Sequence, residues 1–230
     1  HNYVLKNNTV FFSANYVYFY ATVTSPDGQK SAEYKIRLEK PVSKAVFADS
    51  IPGWAKSAVR EVKDLGIVNG NKTNKGLMLE PNGKATREMI ACFMVRMLGI
   101  DETQYAAIDL TAYYDDADQV SAWAQNAVKA ATALGIFSGS KSGDQILINA
   151  KNNITRQEFA VVFVRTIKAE KTNVSSFALN YKDTASIASW AKPSVKIMTK
   201  LGYMQGDGGY FRPTNSISRI EIIQTIANYL

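Results

Sequence analysis

The chain has 230 residues, with 27 lysines and arginines against 20 aspartates and glutamates, for a formal net charge of +7. Its hydrophobic content of 46% is typical of globular proteins, and no apolar run approaches the roughly 18 residues that span a bilayer, so we expect no membrane insertion. A lone histidine, His1, and a lone cysteine, Cys92, argue against zinc sites, histidine-based triads and intramolecular disulfides. The excess positive charge favours an anionic partner, but its scatter argues against nucleic acid.

The first 45 residues read differently from the rest of the chain. From Asn15 to Pro41 apolar and polar residues alternate around a Pro-Asp-Gly turn, residues 26–28, which predicts a β-hairpin. Two strands alone are marginally stable, so we expect residues 1–45 to be the tail of a truncated β-sandwich. The chain opens on strand-like sequence without the basic and apolar segments of a signal peptide, and we interpret it as a piece of a longer protein.

Three repeats follow, at residues 46–112, 113–179 and 180–230. Each has an aromatic residue two places before an aspartate, a Trp-Ala pair, a glycine twelve residues after the tryptophan and another four later. Each then has a helix that begins Thr/Ser-Arg. The repeated residues are the aspartates Asp49, Asp116 and Asp183, the tryptophans Trp54, Trp123 and Trp190, the second glycines Gly70, Gly139 and Gly206, and the arginines Arg87, Arg156 and Arg219. Repetition at this spacing predicts one supersecondary unit used three times.

Within a repeat, the pattern predicts helix, loop, helix. In the first copy, apolar residues recur at helical spacing from Trp54, and Gly66 has the chemistry of a left-handed C-terminal cap. We expect the three tryptophans to lie in the core. The loop holds a short apolar patch, residues 77–79, that favours a brief strand. Ala150 replaces the proline found in the other two loops, which predicts a looser loop in the second copy.

The start of the second helix follows helix-capping chemistry. Thr155 and Glu158 have capping-box spacing, and Ser218 and Glu221 repeat it in the third copy, whereas the first has Met89 at the box position. The opening aspartates either cap the first helix or hydrogen-bond across a repeat boundary. Calcium is conceivable around Asp116, but the spacing is not that of an EF-hand and the other copies lack the extra acids, so we expect no metal and no cofactor.

The repeated arginine is the feature that capping does not explain. A positive charge in the first turn opposes the helix dipole, yet all three copies place one there. One reading is an anion site, in which the guanidinium adds a planar fork to the free N–H groups of a helix N-terminus. The other is a repeated salt bridge to the capping glutamate or to the opening aspartate of a neighbouring repeat. The residues alone leave both open.

These residues together resemble three consecutive S-layer homology domains, covering residues 46–230. The pattern is carried by "FADSIPGWA", "LGIVNG" and "ATRE" in the first copy, "YDDADQVSAWA", "LGIFSG" and "ITRQE" in the second, and "YKDTASIASWA", "LGYMQG" and "ISRIE" in the third. The resemblance implies a mainly α fold, a pseudo-threefold unit with a central three-helix bundle and peripheral prongs, preceded here by the β-hairpin. That hairpin resembles the last strands of cadherin-like or immunoglobulin-like modules.

The resemblance also implies a function. Grooves between such repeats bind secondary cell wall polymer, often through pyruvylated N-acetylmannosamine, whose carboxylate suits the repeated arginine. Carried onto this chain, the arginines would contact the anion, while the aspartates and second glycines would shape the grooves. These residues are Arg87, Arg156, Arg219, Asp49, Asp116, Asp183, Gly70, Gly139 and Gly206. The missing capping box and the missing proline argue against equal use of the three grooves.

The implied role is non-covalent anchoring of a secreted protein to the bacterial cell wall or S-layer, without enzymatic activity. Other partners compatible with the pattern are peptidoglycan-linked glycans and S-layer subunits. Two alternatives remain at this point: a protein–protein assembly module of the S-layer, and a wall-acting hydrolase, although the repeated acids do not read as the opposed pair that a glycosidase needs.

Overall fold

The computed structural model describes residues 16–24, 31–39 and 47–230. The chain divides into two units, residues 1–44 and 45–229, which are described separately. In the first unit, β1 (Tyr16–Thr24) and β2 (Ser31–Glu39) pair antiparallel along their whole length. The two predicted strands are therefore confirmed. The Pro-Asp-Gly turn and the rest of the expected β-sandwich lie outside the described residues, and the sandwich stays a prediction.

The second unit repeats one arrangement three times: a short helix, a loop that folds back on itself, and a second helix. The helices are α1 (Lys56–Asp64), α2 (Arg87–Met97), α3 (Gln125–Ala133), α4 (Arg156–Thr166), α5 (Lys192–Lys200) and α6 (Arg219–Tyr229). The loops form two-stranded hairpins from β3 (Asn71–Thr73) and β4 (Gly76–Met78), and from β5 (Ser140–Ser142) and β6 (Gln145–Leu147). In the third repeat the loop is bridged between Asp207 and Tyr210. The mainly helical class and the brief strands are confirmed.

The first helix of each repeat ends as the sequence predicts. In α1 the buried residues Ala58, Val59 and Val62 recur at helical spacing and form one apolar face. Gly66 follows with φ of +71°, a left-handed conformation that a side chain would strain, and its N–H donates to the carbonyl of Lys63. The equivalent glycines Gly135 and Gly202 have φ of +71° and +77°. These turns direct the chain away from the helix and into each hairpin.

The three repeats meet in a closed ring of hydrogen bonds just before their second helices. The N–H of Ala85 donates to the carbonyl of Ile217 (3.4 Å), that of Ile217 to Ile154 (3.1 Å), and that of Ile154 to Ala85 (3.0 Å). All three side chains are fully buried. Because each repeat donates to one neighbour and accepts from the other, the ring fixes the pseudo-threefold order of the unit.

Each second helix starts at this ring and packs against the first helix of the next repeat. The pairs are α2 with α3, α4 with α5, and α6 with α1. The second helices are buried on most of their surface, whereas the first helices bury one face. The last helix therefore packs on the first, which closes the unit. None of the helices in the described part of the chain is long and apolar enough to cross a membrane.

Candidate functional site

The opening aspartate of each repeat holds the end of its own hairpin. In the second repeat, Asp116 accepts the backbone N–H of Ile148 through Oδ1 (2.7 Å) and that of Asn149 through Oδ2 (2.8 Å). Asn149 has φ of +52°, and its counterparts in the other repeats, Glu80 and Arg212, have φ of +56° and +55°. The carboxylate thus fixes a left-handed turn that non-glycine residues rarely adopt.

The same contact recurs in the other two repeats. Asp49 accepts from Leu79 (2.9 Å) and from the residue after it, and Asp183 accepts from Phe211 and Arg212 at 2.8 and 2.7 Å. Both sequence-based expectations for these aspartates are therefore wrong. They cap no first helix in the described structure, and their bonds stay within one repeat. The short-range sequence pattern did not reveal a partner about thirty residues away.

The second loop keeps the hydrogen bonds of the other two despite its missing proline, and the looser loop expected from the sequence stays a prediction. The carbonyl of Ala150 accepts the N–H of Glu88 at 2.9 Å, and the carbonyl of Pro81 accepts that of Ile220 at 3.0 Å. Ala150 is also buried. The clamp from Asp116 and this hydrogen bond fix the turn without the help of a proline ring.

The repeated arginine crosses the boundary to the next repeat. Arg87 Nε donates to the carbonyl of Ile148 at 2.7 Å, and Arg156 Nε donates to the carbonyl of Phe211 at 2.7 Å. Arg219 reaches the equivalent carbonyl of Leu79 through Nη1, at 3.0 Å. Each arginine thus binds the hairpin end that the next repeat's aspartate holds. Asp, hairpin end and Arg form one continuous polar link between neighbouring repeats.

Two of the arginines also pair with the capping glutamate of the next repeat. Glu158 uses Oε2 to accept the N–H of Thr155 at 2.8 Å, while its Oε1 lies 3.5 Å from Arg87 Nη1. In α6, Glu221 accepts the N–H of Ser218 through Oε2 at 2.8 Å, and its Oε1 lies 2.5 Å from Arg156 Nη1. The capping box at Thr155 is confirmed, and in the third repeat the bond from the Ser218 N–H to Glu221 is present. The salt-bridge interpretation of Arg87 and Arg156 is also confirmed, with the glutamate rather than the aspartate as the partner.

The third arginine differs because the first repeat has Met89 at the capping-glutamate position. Arg219 Nη1 pairs with Glu80, at 2.5 Å, and its Nη2 lies 3.7 Å from the Met89 sulfur. Within the described residues, Arg219 Nε has no hydrogen-bond partner. Thr86 still caps α2, accepting the N–H of Met89 at 3.4 Å. The loss of the reciprocal bond predicted for the first repeat is therefore confirmed.

The helix N-termini themselves do not offer free backbone donors. The N–H of Arg87 donates to Asn152 and that of Glu88 to Ala150, at 3.0 and 2.9 Å, and the other two helices repeat this arrangement. The expectation that these N–H groups help to bind an anion is wrong, because carbonyls of the neighbouring hairpins occupy them. An anion at this position would meet the guanidinium side chain.

The arginines are largely buried but remain cations. Burial lowers the pKa of Arg87 and Arg156 from the ordinary arginine value, and the glutamates that face them raise it in part. Phe137 stacks on Arg87, with 5.2 Å from Cζ to the ring centroid, and Phe211 on Arg156 at 5.1 Å. A positive charge held in a partly apolar wall attracts an anion more strongly than one in open water.

Three grooves of residues 47–230 open over these arginines, and we name each groove by its arginine. Each takes the arginine from one repeat, the loop and second helix from the next, and a tryptophan from the third. The Arg87 groove, the Arg219 groove and the Arg156 groove have volumes of about 200, 300 and 520 Å³. The tryptophans that line them are Trp190, Trp123 and Trp54, in the same order. Every groove therefore needs all three repeats.

The tryptophans are exposed, contrary to the expectation that they lie in the core. Trp54, Trp123 and Trp190 retain 62%, 56% and 57% of their accessible surface. The alanine after each is fully buried and takes the core position at the start of the first helix. A large apolar ring left in water at a concave surface is typical of a ligand-binding wall.

The S-layer homology domain family matches the chain at residues 47–88, 113–160 and 180–223, more than half of its length. The chain belongs to the S-layer homology domain family. Among its relatives, cell surface glycoprotein 1 of Acetivibrio thermocellus is 34% identical over 154 residues, 64% of this chain and 6% of that protein. The surface-layer 125 kDa protein of Lysinibacillus sphaericus is 32% identical over 125 residues, 54% of this chain and 10% of that protein.

A third relative, the cellulosome-anchoring protein of Acetivibrio thermocellus, is 28% identical over 157 residues, 66% of this chain and 33% of that protein. The chain therefore matches between a sixteenth and a third of the length of these relatives. S-layer homology domains are anchoring modules of the bacterial cell wall, and the family places this chain at the cell surface or in the S-layer.

The second glycine of each S-layer homology repeat lets the hairpin lie against the opening aromatic residue. A Cβ on Gly70 would lie 2.5 Å from the ring of Phe47, and one on Gly206 would lie 2.7 Å from the ring of Tyr181. Gly70 and Gly139 also have φ of about +70°. All three glycines line grooves. Their predicted part in shaping the grooves has a direct physical basis, while glycan contact remains a prediction.

The predicted site residues thus occupy two layers of the S-layer homology unit. The arginines and glycines line the grooves, whereas the aspartates lie behind the hairpins and, among the described residues, appear in none of the three linings. No cluster of three or more metal-ligating side chains occurs in the described part of the chain. The tryptophans are among the groove residues that sequence reasoning missed, as are Arg96 and Arg165. The one available signal was the Trp-Ala pair repeated in all three copies, in which the alanine takes the buried position and the tryptophan stays exposed.

Proposed function

We propose that this module anchors its protein by binding an anionic secondary cell wall polymer, with the carboxylate of a pyruvylated sugar lying against a groove arginine. One observation carries the proposal: each groove is lined by a buried arginine from one repeat and an exposed tryptophan from another. A charged and an aromatic wall on one concavity suit a ligand that combines a carboxylate with a sugar ring.

The arginine supplies charge and geometry. Its guanidinium stays positively charged, and its planar arrangement of parallel N–H donors matches the two oxygens of a carboxylate. A hairpin carbonyl and a glutamate hold each guanidinium in place, and a phenylalanine adds to this at Arg87 and Arg156, so little rotamer entropy is lost when a ligand binds. Because burial already lowers the pKa of Arg87 and Arg156, a ligand carboxylate would be stabilised by a cation that has lost most of its water.

The tryptophan supplies contact area at low entropic cost. Its indole is large and rigid, and the sugar ring of the ligand can lie flat against its exposed face. It projects from a third repeat, so a bound sugar would also bridge a repeat boundary. Groove volumes of about 200 to 520 Å³ overlap the usual range of small-molecule sites and suit one or two sugar residues per groove.

The role proposed is binding and not catalysis. The opening aspartates each hold two backbone N–H groups behind a hairpin, and the two glutamates that line grooves close capping boxes while pairing with arginines. Because these carboxylates already accept backbone N–H groups or pair with arginines, we assign them a structural role rather than acid–base catalysis.

The test is a calorimetric titration of the chain with purified wall polymer before and after mild acid removal of ketal-linked pyruvate. We expect binding to the native polymer and at least about a tenfold loss after treatment, equivalent to ~1.4 kcal/mol. Single Trp54→Ala, Trp123→Ala and Trp190→Ala variants should keep their melting temperatures, because these rings are exposed, and at least one should bind about tenfold more weakly.

Arginine variants need more care because each guanidinium also joins two repeats. Arginine to lysine keeps the charge and loses the planar fork, so it tests carboxylate geometry with less damage than alanine. Equal affinity for treated and untreated polymer, together with unchanged affinity in all three tryptophan variants, would overturn the proposal. Self-association of the chain without glycan would then point to a protein-assembly role.

A further inference from the structure

The three grooves differ in charge at two positions of the helix that lines them. Counting the arginine of that helix as its first residue, the third residue is Met89 in the Arg219 groove, and glutamate in the other two. The tenth residue is Arg96 in the Arg219 groove, Arg165 in the Arg87 groove and Asn228 in the Arg156 groove. The scaffold is the same in each case, so these two positions set the charge of the lining.

The Arg219 groove has two arginines and, among its described lining residues, no carboxylate. The Arg87 groove has two arginines and Glu158, and the Arg156 groove has one arginine and Glu221. The Arg156 groove is otherwise polar and neutral at its lining helix, with Gln224, Thr225 and Asn228. The positive charge available to a ligand therefore decreases from the Arg219 groove to the Arg156 groove.

The position of the counter-ion strengthens this order. In the Arg87 and Arg156 grooves the glutamate that pairs with the arginine is itself part of the lining, where it competes with a ligand carboxylate. Arg219 pairs instead with Glu80, which belongs to the hairpin end and lies outside the described lining of its groove. The Nη2 of Arg219 meets only the weakly accepting sulfur of Met89 among the described residues, at 3.7 Å.

Arg219 also has unused hydrogen-bonding capacity. Its side chain is nine-tenths buried, and its Nε has no partner in the described structure, whereas Nε of the other two arginines donates to a carbonyl. A buried donor without an acceptor is unfavourable, and a carboxylate that lets the guanidinium turn toward it would relieve that cost.

We infer that the Arg219 groove is the anion-binding groove of this chain, that Met89 and Arg96 set this preference, and that the Arg156 groove takes an uncharged sugar. The inference rests on the proposed function, because it assigns that function's carboxylate to one groove. The chain would then bind a polymer through a charged sugar in the Arg219 groove and a neutral sugar in the Arg156 groove, rather than through three identical charged sugars.

The three tryptophans of the chain give one spectroscopic reporter per groove. We would record ¹H–¹⁵N correlation spectra and assign the indole N–H signals with single tryptophan-to-phenylalanine variants. The probe is the methyl glycoside of N-acetylmannosamine carrying a 4,6-linked pyruvate ketal, with the same glycoside lacking the ketal as the neutral control. The Trp123 signal should reach half-saturation at a concentration about tenfold lower than those of Trp190 and Trp54, and the neutral glycoside should remove that difference.

Two variants test the residues that set the preference. Met89→Glu places the carboxylate of the other grooves beside Arg219 and completes the capping box with Thr86, so we expect an unchanged or higher melting temperature but about tenfold weaker probe binding at Trp123. Arg96→Asn gives the Arg219 groove the tenth helix residue of the Arg156 groove, and it should also weaken probe binding at Trp123. Asn228→Arg, at an exposed position, should strengthen the response at Trp54.

The outcomes separate the inference from the proposed function. If the charged probe shifts Trp190 or Trp54 first, or if Met89→Glu leaves the Trp123 response unchanged, the groove assignment is overturned while carboxylate binding stands. If the charged probe shifts none of the indole signals and the polymer titration is insensitive to pyruvate, the proposed function and the inference fall together.

Discussion

The boundary that closes the ring, between the third repeat and the first, is built from different residues than the other two boundaries. At the first boundary Glu88 accepts the N–H and the hydroxyl of Ser121, both at 2.9 Å, and at the second Gln157 accepts the N–H of Ala188 at 3.0 Å. At the closing boundary the matching residues are Ile220 and Pro52. Proline has no N–H to donate, and the apolar isoleucine at the matching position of the third repeat has no acceptor to offer.

This difference teaches that the repeats are matched in pairs rather than copied. An acceptor occurs where the neighbour has a donor, and an apolar side chain occurs where the neighbour has none, so no buried polar group is stranded at this position. At the same boundary the arginine pairs with a different glutamate: Arg219 contacts Glu80 at the hairpin end, whereas the other two arginines contact the glutamate at the capping position of the next helix. The residue after each repeated arginine therefore helps to specify which repeat comes next.

The largest effect should follow from placing an acceptor at the closing boundary. Ile220 is buried, so Ile220→Glu puts a carboxylate opposite a proline that cannot donate, and we expect a loss of about 4 kcal/mol in the free energy of unfolding. Urea denaturation at pH 7 measures this loss. The double variant Pro52→Ser with Ile220→Glu recreates the first boundary and should recover most of it; a double variant as unstable as the single one would refute the matching.

A smaller and uniform loss should follow from removing the aspartate clamps. Each aspartate accepts two N–H groups at the hairpin end, with the same geometry in all three repeats. Asp49→Ala, Asp116→Ala and Asp183→Ala should each cost about 2–3 kcal/mol, because hydrogen bonds to a charged acceptor are lost and a left-handed turn loses its support. Denaturant midpoints would measure this, and a marked difference between the repeats would show that the clamp is not the shared element.

The boundary acceptors should have smaller effects that differ from each other. Glu88→Ala removes two hydrogen bonds to a charged group and should cost about 2 kcal/mol, while Gln157→Ala removes one neutral bond and should cost about 1 kcal/mol. Glu88→Gln is the matched control, since it gives the first boundary the side chain of the second. Thermal unfolding should place it close to the parent, and a loss as large as that of the alanine variant would contradict a hydrogen-bonding role.

The sequence predicted those parts of the molecule that depend on local chemistry. The helices, the cap at Gly66, the capping box at Thr155 and the brief hairpin strands all follow from residues a few places apart, and the structure has them. The tryptophans were misjudged because helical periodicity shows that one face is apolar without showing whether a ring at the helix start lies inside it. The partners of Asp116 and Arg87 lie about 30 and 60 residues away, beyond the reach of any local pattern.

The groove assignment shows the same limit in another form. The resemblance named the arginines, but the contrast between Met89 and the glutamates at that position was visible only as a missing capping box. The effect of Met89 on the charge of a groove follows only from the structure, in which α2 lines the groove of Arg219, 130 residues after Met89 in the chain. A departure from the repeat pattern is therefore informative about the neighbour's site as well as about the repeat that carries it.

The last effect is absent at neutral pH and concerns Cys92, which is the first-repeat counterpart of Val161 and Gln224 and lines the Arg219 groove. Burial raises the pKa of its thiol from 9.0 to about 11. Above pH 9 the unfolded chain loses this proton while the folded chain keeps it, so the thiol lowers the free energy of unfolding as the pH rises from 9 to 11.

The loss should reach about 2 kcal/mol near pH 11 and vanish below pH 8. Tyrosines and lysines titrate in the same range, so the measurement is the difference between the parent and Cys92→Ala. Alanine keeps the position apolar and removes the titration. We expect urea denaturation to show the parent losing more stability than the variant between pH 9 and 11, with parallel behaviour below pH 8. Parallel loss across the whole range would mean that the thiolate is accommodated in the folded state, and that the first-repeat side of the Arg219 groove is more accessible to water, or more positive, than its geometry indicates.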